Sequence, residues 1–197
     1  MNKKAHFNPK SLTWLISLAV MIVLCAGVIF GSKALYDFAN KKYLEPVEIS
    51  FTIDSTKDLD ISGTNASNYS VTAAKEAYDA SGKLVAYVVE GTTAGYNQES
   101  PIEMSTIISA DGTLVCGIDI IKQEETEYLG VRIAADPFKN QFEGRYLPVV
   151  ASTSSDKGSK IDVIAKSTIS SQAVIDAVNN AQGFVVDNYA PAQDSAE

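Results

Sequence analysis

Four hydroxyls, Ser167, Thr168, Ser170 and Ser171, crowd into a few positions directly after Lys166. Beyond them Ala173, Val174, Ala177, Val178 and Ala181 recur at helical spacing, which predicts a helix from about Ser170 to Ala181. One hydroxyl suffices to cap a helix. A helix N-terminus also offers unpaired N–H donors and roughly half a positive charge, which stabilises an anion. Three uses are therefore open for the run: capping the helix, cradling a phosphate with help from Lys166, or carrying one covalently.

Other chemistry is sparse. The only histidine is His6, so the body of the chain has no histidine base. The sequence has no CxxC pair, no metal-spaced His/Cys cluster and no nucleophile elbow. The stretch "GTTAGYNQE" lacks both the P-loop lysine and the dinucleotide spacing. Glu124, Glu125 and Glu127 are close enough to hold a hard cation, but without a glycine-framed loop they read as a solvated acidic segment. No independent catalytic constellation emerges, which argues against a hydrolase.

Charge divides the chain. Residues 1–42 hold six lysines against Asp37 alone, whereas the remainder carries ten basic and 23 acidic groups within a total of −8. An acidic body argues against a nucleic-acid partner, which would call for a basic face. Between Ser11 and Ser32 there is no charge at all. A helix rising about 1.5 Å per residue would carry that run across a hydrocarbon core of about 30 Å. Its length exceeds a signal-peptide core, and no small-residue cleavage site follows it. It reads as a retained anchor, with Trp14 and Tyr36 near its ends. Lysines on both sides leave the orientation open. Cys25 in this run and Cys116 in a predicted strand are too far apart in kind to bridge, and both read as small buried hydrophobes.

The elements that must position the hydroxyl run follow from turn signals. "KEAYDASGKLVAYVVEGTT" reads as strand, turn and strand about Asp79–Gly82, and "PIEMSTIISADGTLVCGIDII" repeats the device about Ala110-Asp111-Gly112. Asp136-Pro137 opens a short helix. "STKDLDISGTNASNYS" and "ASTSSDKGSK" read as irregular. The predicted fold is α+β, a largely antiparallel sheet with packed helices, preceded by one N-terminal transmembrane helix. The division is a tail at 1–10, a span at 11–32, a juxtamembrane stalk at 33–46, a body at 47–190 and a disordered tail at 191–197.

Taken together, four motifs in order resemble the FMN-binding-domain family, in particular the G-subunit branch of Rnf-type electron transport complexes. A related branch is the C subunit of sodium-translocating NADH:quinone reductase. The family's Asp, two residues, Ser/Thr-Gly-Ala-Thr pattern is similar to Asp162 through Thr168. Its Glu-Thr-Pro-Gly-Leu-Gly loop resembles Glu125–Gly130, and its Gln-Phe-x-Gly-Lys segment resembles Gln141–Arg145. The two hairpins read like the family's strands.

The resemblance implies FMN bound covalently, as a phosphoester on Thr168. Glu125, Thr126, Leu129 and Gly130 would lie against the cofactor, and Lys166, Ser167 and Ser170 would hold its phosphate. A flavin transferase would place FMN from FAD on the threonine hydroxyl, with AMP as the leaving group. The implied setting is a bacterial cell membrane, single-pass, with the FMN-binding domain at 47–190 outside the cytoplasm. Its partners would be membrane lipid and sister membrane subunits of an ion-pumping ferredoxin:NAD oxidoreductase. Alternatives are a stand-alone flavinylated electron carrier and a non-flavinylated structural subunit. Two departures stand out. Lys166 replaces a glycine that would permit a left-handed backbone, and Glu127-Tyr128 replaces Pro-Gly.

Overall fold

The computed structural model describes residues 9–190, so the expectations for His6 and for the tail at 191–197 lie outside the described residues. The chain divides into two units, residues 1–41 and 42–197. Helix α1, Pro9–Leu44, contributes all of the described first unit. Its window Ser17–Phe38 has a mean hydropathy of 2.2, and none of its residues is buried within the chain. A helix that is apolar all round, with Leu18, Met21, Val28 and Phe30 exposed, is long and apolar enough to cross a membrane. Cys25 is accordingly exposed, not buried as its type suggests, because a single apolar helix has no protein neighbour to cover it.

The second unit is built on a six-stranded antiparallel meander. Its strands, adjacent in chain order, are β1 Ser55–Asp58, β2 Val71–Tyr78, β3 Leu84–Thr93, β4 Ile102–Ser109, β5 Leu114–Lys122 and β6 Arg145–Tyr146. Both predicted hairpins form, and each turn is closed by an aspartate. Asp79 Oδ1 accepts hydrogen bonds from Ser81 N at 2.9 Å and Lys83 N at 3.0 Å, with Gly82 at φ +79°. Asp111 Oδ1 does the same for Thr113 N at 3.0 Å, with Gly112 at φ +71°. Short carboxylates fold the backbone here, and glycine supplies the left-handed residue. The segment expected to be irregular between Ser55 and Ser70 instead gives β1 and a 3-10 turn at Ala66–Tyr69. An edge strand needs only backbone partners, which β2 provides, so a polar sequence suffices. Likewise β7, Val149–Ala151, and β8, Ser159–Ile161, pair in parallel at the ends of the expected loop. A short helix, α2, covers Asp136–Lys139.

Helix α3 runs from Thr168 to Asn188, seven residues beyond Ala181. Gly183 ordinarily weakens a helix, but a Cβ there would stand 2.5 Å from the Tyr69 ring, so the glycine admits that ring. The buried stripe Val174, Ile175, Val178, Ala181, Phe184 and Val185 packs with Ile102, Met104 and Ile108 of β4 and with Phe142 in one core. Polar pins fix the position of α3 on this core. Asn179 accepts from Val149 N at 3.0 Å and donates to Val149 O at 2.8 Å. Gln182 donates to Gly112 O at 3.0 Å, and Asp187 accepts from the Tyr69 hydroxyl. The Phe184→Ala variant should lose about 3–5 kcal/mol of stability, read from urea unfolding of the full chain in detergent. A loss below about 1 kcal/mol would contradict this core assignment.

Candidate functional site

Each hydroxyl of the run has a separate use. Ser171 Oγ, fully buried, accepts from Ile164 N at 3.0 Å and donates to Ser167 O at 2.9 Å, folding the approach segment onto the helix. Ser170 Oγ donates to Glu125 Oε2 at 2.6 Å. Ser167 stands at the N-cap but makes no capping bond; its Oγ is buried, 6% of the residue being exposed, and has no partner. Thr168 opens the helix and is exposed. The first backbone bond of α3 runs from Ser171 N to Ser167 O at 3.0 Å. The amides of Thr168, Ile169 and Ser170 precede it and have no acceptor within the helix.

These groups face a hollow of about 400 Å³, within the usual range of ligand sites. One wall is Lys166, Ser167, Thr168, Ile169 and Ser170; the opposite one is Thr126, Leu129 and Gly130, with Tyr96 beside them. Its lining holds one cation and no carboxylate. A second hollow of about 410 Å³ shares Thr168 and Ile169 and is lined besides by Thr93, Ala94, Gln172, Ala173 and Asp176. Thr168 and Ile169 therefore line both hollows, and Thr168 is exposed. Lys166 has φ +65° and Tyr128 φ +63°, left-handed conformations that cost an L-residue roughly 1–2 kcal/mol. Lys166 keeps the backbone path that a glycine would take there. Tyr128 is 80% exposed beside Leu129.

Glu125 lies behind the wall. It is 6% exposed, unlike its exposed neighbours Glu124 and Glu127, so the acidic segment is not uniformly solvated as its composition suggests. Its carboxylate accepts from Ser170 Oγ, from Tyr96 N at 3.2 Å and from Asn97 N at 3.3 Å. Three segments remote in sequence are thereby joined around one charge, which satisfies the requirement that a buried carboxylate be hydrogen-bonded. Two glycines make the room. A Cβ on Gly95 would stand 2.1 Å from Glu125 Oε1, and one on Gly130 2.6 Å from Glu125 Cβ. Cys116 lies outside the hollow's lining, and burial, aided by Asp111 and Glu143, pushes its thiol up to about 12.

The structure thus brings together Thr126, Leu129, Gly130, Lys166, Ser167, Thr168 and Ser170 around one hollow, with Glu125 buttressing it. Tyr96 and Ile169 were not legible in the sequence. Tyr96 sits in the stretch that fails as a phosphate loop; the one signal was Gly95 before it, a glycine required by close approach and not by phosphate. Glu125→Ala should cost about 2–3 kcal/mol and Ser170→Ala about 1–2, since hydrogen bonds to charge are the strong ones. The two losses should fall short of additive by at least about 0.5 kcal/mol in a double-mutant cycle on the full chain. Additive losses would mean that the bond carries no coupling.

Residues 95–183 match the family described as the FMN-binding domain. The chain is 37% identical over 107 residues to the G subunit of the ion-translocating oxidoreductase complex of Methanosarcina acetivorans, covering 54% of this chain and 55% of that protein. It is 41% identical over 103 residues to the G subunit of the Na(+)-translocating ferredoxin:NAD(+) oxidoreductase complex of Acetobacterium woodii, covering 50% and 48%. The matches thus span about half the length of these curated relatives. Among solved structures, the fold is similar to that of the C subunit of the Na(+)-translocating NADH-quinone reductase from Parabacteroides distasonis. The TM-score is 0.51 at 22% identity, covering 68% of this chain and 76% of that one.

Proposed function

From the match of residues 95–183 to the FMN-binding-domain family we propose that this chain is a membrane-anchored electron carrier with FMN held covalently on Thr168. The observation that carries the reading is the head of α3. An exposed threonine hydroxyl stands beside an orphaned buried Ser167 Oγ, unbonded first-turn amides and Lys166, all on one hollow. That donor set fits a phosphate, which the helix dipole and a lysine stabilise together. The hollow's Tyr96, Leu129 and Ile169 offer apolar surface to a planar ring. Thr168 is the attachment point, Ser167 and Lys166 hold the phosphate, and Thr126, Leu129 and Gly130 contact the ring. Glu125 and Ser170 keep the walls in register.

FMN supplies the redox chemistry when bound, and the chain's part is to position it and set its surroundings. Helix α1 anchors the domain in the bacterial membrane through Ser17–Phe38, with the body outside the cytoplasm. Its partners are a flavin transferase during maturation and the sister subunits of an ion-translocating ferredoxin:NAD oxidoreductase, to whose G subunits it is similar.

Co-expression with a flavin transferase tests the attachment. The denatured chain should fluoresce in a gel and gain the mass of FMN less water, and Thr168→Val should lose both. A chain without fluorescence or mass gain would overturn the reading; fluorescence surviving in Thr168→Val would move the site. Lys166→Gly should relieve backbone strain and raise stability by up to about 1 kcal/mol, while slowing flavinylation severalfold through loss of the cation. Unchanged labelling kinetics would remove Lys166 from the phosphate site.

A further inference from the structure

Where the second unit begins, cations gather around tyrosines. Lys42 Nζ lies 4.8 Å from the Tyr43 ring centroid and 5.9 Å from that of Tyr146, and Lys157 Nζ lies 5.9 Å from that of Tyr43. Arg145, adjacent to Tyr146, donates through Nη1 to Leu44 O at 3.4 Å. Lys42 and Lys157 are exposed, and none of the three cations forms an ion pair with a carboxylate of the described residues.

The cluster is a fixed part of the domain. Tyr43 is 8% exposed, and Val47 N donates to Gly144 O at 2.8 Å. Gly144 has φ +68°, and a Cβ there would stand 2.0 Å from Val47 O, so residues 43–47 are seated against the 144–146 segment. Chain length then constrains where the cluster lies. Lys42 is four residues after Phe38, the end of the apolar window, and four residues reach at most roughly 14 Å. A membrane that holds Ser17–Phe38 therefore keeps Lys42 within roughly 14 Å of the hydrocarbon boundary, and Lys157 and Tyr146, which share its tyrosine cluster, stay near it. Amphipathic tyrosines and unpaired lysines are the side chains that favour the headgroup layer.

We propose that Lys42, Arg145 and Lys157, set around Tyr43 and Tyr146, form a seat for the phosphate of an anionic phospholipid headgroup. The inference rests on the reading of α1 as a membrane anchor. The seat fixes the foot of an acidic domain to a surface that would otherwise repel it.

Amine-reactive footprinting of the full chain in lipid nanodiscs, read by peptide mass spectrometry, tests it. At about 1 kcal/mol per cation near an anionic surface, Lys157 should acetylate roughly fivefold more slowly in phosphatidylglycerol-containing discs than in pure phosphatidylcholine. Lys83, at the β2–β3 turn, should react equally in both. The protection should vanish in high salt and shrink in Lys42→Gln. Equal Lys157 rates in the two lipids would overturn the proposal. So would protection by inorganic phosphate in phosphatidylcholine discs, which would make the seat a soluble-anion site. Alkaline carbonate extraction separates the two readings: release of the chain from membranes defeats the anchor itself, whereas a retained chain with unprotected Lys157 defeats only the lipid seat.

Discussion

The head of α3 keeps its geometry only because the helix cannot slide along the sheet beneath it. Its apolar stripe, Val174 to Val185, supplies most of the adhesion, but burial is non-directional and tolerates a shift in register. The directional bonds remove that freedom. Glu125 holds the first turn, Asn179 brackets the backbone of β7 in the middle, and Asp187 meets Tyr69 near the end. Only with all of these in place do the first-turn amides and Thr168 face the hollow in one arrangement.

The same site stores backbone strain. Three non-glycine residues have positive φ among the described residues: Ser70, Tyr128 and Lys166. Ser70 closes a 3-10 turn and has a plain structural reason, since its amide bonds back to Ser67. Lys166 instead lines the hollow and Tyr128 directly precedes its lining residue Leu129, each with an exposed side chain. Strain that persists at a site is maintained by its surroundings, and here the fixed loop ends at Gly130 and Ser167 impose it. In exchange the hollow gains a lysine where a glycine would have left only backbone.

Electrostatics divides the domain in a way its net charge conceals. The body is acidic, yet the hollow is lined by a cation without a carboxylate, and the foot at Lys42, Arg145 and Lys157 is basic. Glu125, behind the wall, is engaged by three donors. An anion in the hollow therefore meets helix amides and Lys166 first.

Both hairpins, the apolar helix and the helical phase of the hydroxyl run were legible because each rests on local chemistry. Asp and Gly close the turns, alternation marks the strands, and spacing marks the helix face. The hydroxyl run and the Glu125–Gly130 segment could be singled out as types in order, but not assigned. Which of four hydroxyls would cap, bond, remain orphaned or stand exposed depended on Glu125 and Ile164, groups that arrive from other segments. Gly183 reads locally as a weak point of the helix, whereas the fold uses it to admit Tyr69. Tyr96 reads as part of an ordinary loop until Glu125 draws its amide against the hollow. Sequence by itself determined the elements, since turns and periodicity are encoded over a few neighbouring residues. The tertiary structure alone decided the division of labour within the site, since a buried carboxylate must find its donors wherever the chain brings them.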